Sequence, residues 1–341
     1  MPREVHALAD SPGPLCESYD LLMVDLDGVV YVGSDAVPGA AVALRSARHS
    51  GAALTYVTNN ASRTPHAVAE HLRSLGMPLS SDRDVVTSAQ AAAHLVAKLV
   101  PAGSEVLVVG GEGLFAALEE RGLRGTDKLT DATVAVVQGF HEDVGWRQLA
   151  EGAYAINSGL PWVATNVDLT LPTTRGIAPG NGSFVQALTN ATGREPVVAG
   201  KPQAALFDEA TERVGGTHLL VIGDRLDTDI EGANNIDADS LAVMTGITNL
   251  QQIAEAPRRL RPTFVAPNLD ALLVAHPAVR RDGEGFVCGT ARVSQADGRV
   301  TFGTPDAEPL HLMRAAITLA WEYHAETGRY VQIDRSGKIG S

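Results

Sequence analysis

Cysteine is scarce in this sequence: 341 residues contain only Cys16 and Cys288, far apart and with no His or Cys at ligand spacing beside either. Neither a disulfide framework nor a zinc site is expected on that ground. Long apolar runs are also missing. No stretch reaches the length that spans a bilayer, and the opening Met1-Pro2-Arg3-Glu4-Val5-His6 lacks the apolar core of a secretory leader. The expectation is a cytoplasmic protein with no membrane partner. Basic residues are in deficit, 27 Lys and Arg against 40 Asp and Glu, for a net charge of −13. A nucleic-acid partner is therefore not expected, because such proteins concentrate Lys and Arg. A small anionic substrate is not excluded, since a few local donors and a metal can invert the field. The remaining composition, 45% hydrophobic and 20% charged, is that of an ordinary globular chain long enough for two or three domains. A homo-oligomer is left open.

What is present is a recurring unit. Leu21-Leu22-Met23-Val24 is a short continuous apolar run, the pattern of a parallel strand buried on both faces, and it ends in Asp25-Leu26-Asp27-Gly28. A helix is expected over residues 38–49, a strand over 52–57 ending in Thr58-Asn59-Asn60, and a helix over 65–75. The pattern returns at Val197-Val198-Ala199-Gly200 before Lys201-Pro202, at residues 218–223 before Asp224, and at residues 239–244. Such alternation implies a doubly wound parallel sheet, whose ligands sit beyond the carboxyl ends of its strands. Every polar cluster just named falls there. Between Thr58 and Lys201 the strand candidates at 105–110, 132–137 and 162–165 suffice for a second α/β module. After about residue 275 a hairpin around Ala296-Asp297-Gly298, a helix over 311–327 and a last strand at 330–333 read as a small α+β appendage. The first 18 or so residues read as a loose arm.

The chemistry lies in the clusters. Asp25 can attack phosphorus and hold a metal, and Asp27 can turn away and donate a proton to a leaving oxygen. Gly28 lets backbone amides approach a phosphoryl group. Thr58 and Lys201 can meet phosphate oxygens, and Asp224 to Asp229 can complete a divalent-metal shell. Singly, these are a solvated turn, a helix cap, a surface charge and an acidic loop; in order, each at a strand terminus, they are a site.

Asp25-Leu26-Asp27-Gly28-Val29, Thr58-Asn59-Asn60, Lys201-Pro202 and Gly223-Asp224…Asp229 resemble the four signature motifs of the haloacid dehalogenase superfamily, over residues 18–270. The form of the second motif and the place of the insertion are similar to the NagD-like branch, which includes glycerol-phosphate, phosphoglycolate and p-nitrophenyl phosphatases. The resemblance implies a Rossmannoid core from residues 18–88 and 196–272, an inserted C2-type cap at 89–195, and a module of unassigned role at 276–341. It also implies an aspartyl-phosphate on Asp25, proton transfer by Asp27, and phosphate contacts from Gly28, Thr58, Asn59, Asn60 and Lys201. Mg²⁺ would sit on Asp25, Asp27 (by its carbonyl) and Asp224, with Asp229 in support. Asp27 favours phosphate hydrolysis over carbon–halogen chemistry, since dehalogenating members lack that carboxylate.

Residues 164–168 and 179–183 match cap motifs, and Leu171 and Arg175 between them are candidates to face the substrate. The expected substrate is a small phosphorylated metabolite, glycerol 3-phosphate first, with phosphoglycolate, pyridoxal phosphate or a nucleoside monophosphate as alternatives. A regulatory protein that only senses a phosphorylated ligand is the alternative of another class. In the appendage His311, His324 and Glu326 form no recognisable constellation, and Glu322 and His324 are expected on the polar face of the helix.

Overall fold

The structure, a computed structural model, describes residues 3–173 and 175–333. These divide into two compact units, one of residues 3–54, 75–78 and 216–333, the other of residues 55–74 and 79–215. No helix among the described residues is long and apolar enough to cross a membrane.

The first unit is built on four parallel strands in the order Phe264–Ala266, Asp239–Val243, Leu219–Gly223, Leu21–Val24. All four residues of Leu21–Val24 are buried, as expected of a strand covered on both faces. The helix Ala40–His49 starts two residues later than expected because Gly39, at φ +82, takes the left-handed turn before it.

The same unit carries the C-terminal appendage, an antiparallel sheet of Val279–Asp282, Gly285–Cys288, Ala291–Ala296 and Arg299–Phe302 with the helix Pro309–Thr327. Asp297 and Gly298 both have positive φ and close the expected hairpin. The run 285–293 is two strands rather than one, because Gly289 at φ +51 reverses the chain. Leu312, Ala315, Ala316 and Leu319 are buried, while Tyr323 is partly so. The strand expected at 330–333 is only a single bridge from Gln332 to Arg299, and residues 334–341 of the expected module lie outside the described residues.

The expected loose arm is a correction. Backbone amides of Arg3, Val5, Ala9 and Ser11 donate to carbonyls of Asn234, Arg258, Thr263 and His276, and Leu15 is fully buried. Its spaced apolar residues supply what its prolines conceal.

The second unit holds a five-stranded parallel sheet in the order Val197–Val198, Trp162–Ala164, Thr133–Gln138, Glu105–Val109, Arg124–Thr126. The strand at 197–200 is thus two residues long and pairs with Trp162–Ala164, not with a strand of the first unit. Its Val197 is 56% exposed, as suits an edge. Residues 55–58 of the strand Ala53–Thr58 also belong here, paired in parallel with Val85–Thr87.

Candidate active site

The backbone fixes where each carboxylate of the first unit begins. Asp25 follows Leu21–Val24, and its amide donates to the Ile222 carbonyl at 2.9 Å. Asp224 follows the neighbouring parallel strand, so the two emerge at the same edge. Asp229 arrives from Leu226–Ile230, a π-helical turn of the kind that often marks functional sites. Carboxylate oxygens of Asp25, Asp224 and Asp229 lie within 4.8 Å of one another, and all three residues are buried. Like charges so close and so dry repel strongly, and a divalent cation relieves that repulsion. An all-oxygen donor set without sulfur or imidazole fits a hard ion such as Mg²⁺.

Three glycines make room. A Cβ at Gly246 would lie 1.8 Å from Asp224 Oδ2, one at Gly28 2.5 Å from the same atom, and one at Gly223 2.2 Å from Asp229 Cβ. Asp224 is held there by the Ile247 amide, which donates to Oδ2 at 2.6 Å, and by the Thr248 amide, which donates to its carbonyl at 3.1 Å. Thr245 Oγ1 donates to the Gly28 carbonyl at 2.6 Å and ties the two loops together. This 245–248 loop was missed in the sequence; a glycine just past an apolar strand end was the available signal.

Asp27 is not in the carboxylate group. It lies exposed in a turn closed by the Gly28 amide donating to the Tyr31 carbonyl at 2.8 Å. Asp227 stays outside as well. Arg225 reaches it at 2.8 Å and holds its carboxyl below the usual range, against the opposing pull of burial.

The second unit carries the other expected residues. Thr58 ends its strand buried, and its Oγ1 accepts the Asn60 amide at 3.0 Å. Asn60 turns its side-chain oxygen to Ser62, so its side chain belongs to a local turn. Asn59 is a clamp: Oδ1 accepts the Lys201 amide at 2.8 Å, and Nδ2 donates to the Lys201 carbonyl at 3.0 Å and to Asp168 Oδ2 at 3.2 Å. Its own carbonyl accepts from Ser88 Oγ and Asn166 Nδ2. Gly200 is obligatory, since a Cβ would lie 2.4 Å from the Thr165 carbonyl and 2.6 Å from Asn59 Oδ1. The chain thus brings Thr58, Asn59, Lys201 and the 164–168 segment together across 142 residues of sequence. Lys201 is buried, its Nζ within 3.4 Å of the Val57 carbonyl. Leu171 and Arg175 lie on the hairpin Thr170–Thr173 and Gly176–Pro179, Leu171 half-buried and Arg175 exposed.

A second cluster among the described residues, His94, Glu209 and Glu212, is a different object. Glu209 is fully buried but is occupied by Arg121 and Arg213, each at 2.5 Å, and makes the centre of an ion-pair network.

Two family models match the chain. One, described as haloacid dehalogenase-like hydrolase, covers residues 22–124, and a second of the same kind covers 198–272. The chain is 43% identical over 316 residues to the D-glycerol 3-phosphate phosphatase of Mycobacterium tuberculosis, covering 91% of this chain and 88% of that protein. It is 33% identical to the acid sugar phosphatase of Staphylococcus saprophyticus, over 75% of this chain and 98% of that protein. Among solved structures, a glycerol phosphate phosphatase of Mycobacterium tuberculosis in complex with magnesium superposes with a TM-score of 0.82 at 40% identity, over 96% of this chain and 97% of that one.

Proposed function

The chain belongs to the haloacid dehalogenase-like hydrolase family, and we propose that this magnesium-dependent phosphoric monoester hydrolase takes glycerol 3-phosphate as its substrate. One observation carries the substrate. The likeness to the glycerol 3-phosphate phosphatase runs over 91% of this chain, whereas the acid sugar phosphatase has a counterpart for only 75% of it.

The roles of the site residues belong to the same proposal. A carboxylate oxygen of Asp25 attacks phosphorus, the P–O ester bond breaks, and Asp27 gives its proton to the departing glycerol alkoxide. Asp27, now a carboxylate, takes a proton from water. That water attacks the aspartyl-phosphate, releasing phosphate and restoring Asp25. The exposure of Asp27 supports this reading, because a group that first gives and then takes a proton needs access to leaving group and water. Asp25, Asp224 and Asp229, with the Asp27 carbonyl, would hold Mg²⁺, which neutralises charge on the transferring phosphoryl group. Thr58, Lys201 and the Asn59 amide would meet phosphate oxygens, whereas the expected Gly28 and Asn60 amides are engaged by the Tyr31 carbonyl and Thr58 Oγ1 and would shape the loops instead. The Asn59 side chain, occupied by the Lys201 backbone, instead positions that lysine. The division into a core of residues 18–88 and 196–272 and a substrate-selecting cap of 89–195, with Leu171 and Arg175 facing the substrate, is likewise proposed. A cytoplasmic location accords with two free, buried cysteines.

The test is phosphate release with Mg²⁺ over glycerol 3-phosphate, phosphoglycolate, pyridoxal phosphate and nucleoside monophosphates. kcat/KM is expected to be highest for glycerol 3-phosphate by about tenfold or more. Asp25→Asn is expected to abolish turnover. A nucleotide turned over faster than glycerol 3-phosphate would overturn the substrate, and an active Asp25→Asn the nucleophile.

A further inference from the structure

The segments that carry the metal-binding carboxylates share an apolar underside. Asp229 sits in its π-helical turn between Leu226 and Ile230. The loop whose amides grip Asp224 is bracketed by Met244 and Leu250. Ile230 is wholly buried in one contiguous core drawn mostly from residues 286–333, and Leu226, Met244 and Leu250 pack against that same core. Met313, Ile317 and Trp321, four residues apart along the helix Pro309–Thr327, are among its members. Trp321 is pinned in place: its Nε1 donates to the Ile253 carbonyl at 2.9 Å, and the Arg261 guanidinium lies 4.5 Å from the ring centre.

We propose that the C-terminal module is a positioning device for the metal site. Its core seats the 226–230 turn and the 244–250 loop, and through them sets the placement of Asp229 and Asp224 and the affinity for Mg²⁺. The physical reason is the stiffness of a close-packed interior. A void left by a truncated side chain draws its neighbours inward, and an apolar residue adjacent in sequence to a ligand carries the ligand with it. Met313 and Ile317 are positioning residues in this account, since neither touches the carboxylates. The inference rests on the Mg²⁺ reading of Asp25, Asp224 and Asp229 given above.

The test compares Met313→Ala and Ile317→Ala with Leu44→Ala, all in the full chain. Leu44 is equally buried in the first unit, on the helix Ala40–His49, but lies outside the shared core. Mg²⁺ binding is measured by calorimetry without substrate, and kcat and KM are measured at saturating Mg²⁺ well below the melting temperature. The two module variants are expected to bind Mg²⁺ about tenfold more weakly, the low end for disturbed support around a metal. Their KM for substrate should stay near that of the wild type, with kcat recovering at high Mg²⁺. Leu44→Ala is expected to lower Tm comparably while keeping the wild-type Kd. If Ile317→Ala does not fold, Ile317→Val carries the test, with a smaller shift of the same sign. Equal Kd values in module and control variants would overturn the inference. A wild-type protein that binds no Mg²⁺ would instead overturn the metal reading beneath it.

Discussion

Gly28→Ala isolates the crowding on which the carboxylate site depends. Gly28 has φ +84, and an alanine in that left-handed conformation costs about 1–2 kcal/mol. Its Cβ would also lie 2.5 Å from Asp224 Oδ2 and 3.0 Å from the Gly246 Cα. The backbone cannot yield cheaply, so Asp224 must move and loosen the hydrogen bond its Oδ2 accepts from the Ile247 amide at 2.6 Å. A hydrogen bond to a charged group is worth about 1.5–3 kcal/mol, giving roughly 2.5–5 kcal/mol in total. Gly33→Ala separates the two contributions, because Gly33 has φ +62 but nothing within 4 Å of the place its Cβ would take. It should lose only the conformational part. Urea unfolding measures the stability of both variants, and phosphate release against Mg²⁺ concentration measures the site. Gly33→Ala should keep the wild-type Mg²⁺ dependence, whereas Gly28→Ala should need roughly ten- to hundredfold more Mg²⁺, the equivalent of the lost hydrogen bond. If the two variants are equally destabilised and equally active, the crowding argument is wrong.

Two further perturbations test the buried charges elsewhere. Glu209→Ala removes the buried centre of the network, leaving Arg213 with Glu120 and Arg121 and His94 with the more exposed Glu212, and should destabilise by about 3 kcal/mol, the low end for a broken buried pair, in chemical denaturation; a loss under about 1 kcal/mol would refute the network's role. His276 is fully buried, and burial, with Arg314 beside it, pushes its pKa down to about 4 in spite of the hydrogen bond to the Ala271 carbonyl. Its folded pKa lies below the ordinary 6.5, so the unfolded chain binds the proton first and stability falls as pH drops from 6.5 towards 4. The contribution is roughly 3 kcal/mol, and His276→Asn should flatten that part of the stability profile; an unchanged slope would exclude His276 as its source.

Much of this was readable along the chain. Leu21–Val24 and Leu219–Gly223 announce themselves as continuous apolar runs because sheets covered on both faces demand it. Phe264–Ala266, at three residues, is too short to show a period, and Val197–Val198 carries the same apolar signal whichever sheet it joins. The N-terminal arm looks loose locally because its hydrogen-bond partners are more than two hundred residues away.

The sequence by itself determined the reaction class: Asp25 and Asp27 at i and i+2 after a buried strand, with Thr58, Lys201 and Asp224 at later strand ends, match a phosphatase family in residue type and order, and on that match rest the roles proposed for them. Only the tertiary structure decided which carboxylates meet. By residue type Asp227 and Asp229 are alike, and only the family resemblance singled out Asp229; the fold gives the physical reason, since Arg225 claims Asp227 while the π-helical turn buries Asp229 beside Asp25 and Asp224. Leu226 and Ile230, which flank that turn, enter a core drawn mostly from residues 286–333, a packing that no local pattern in the sequence announces.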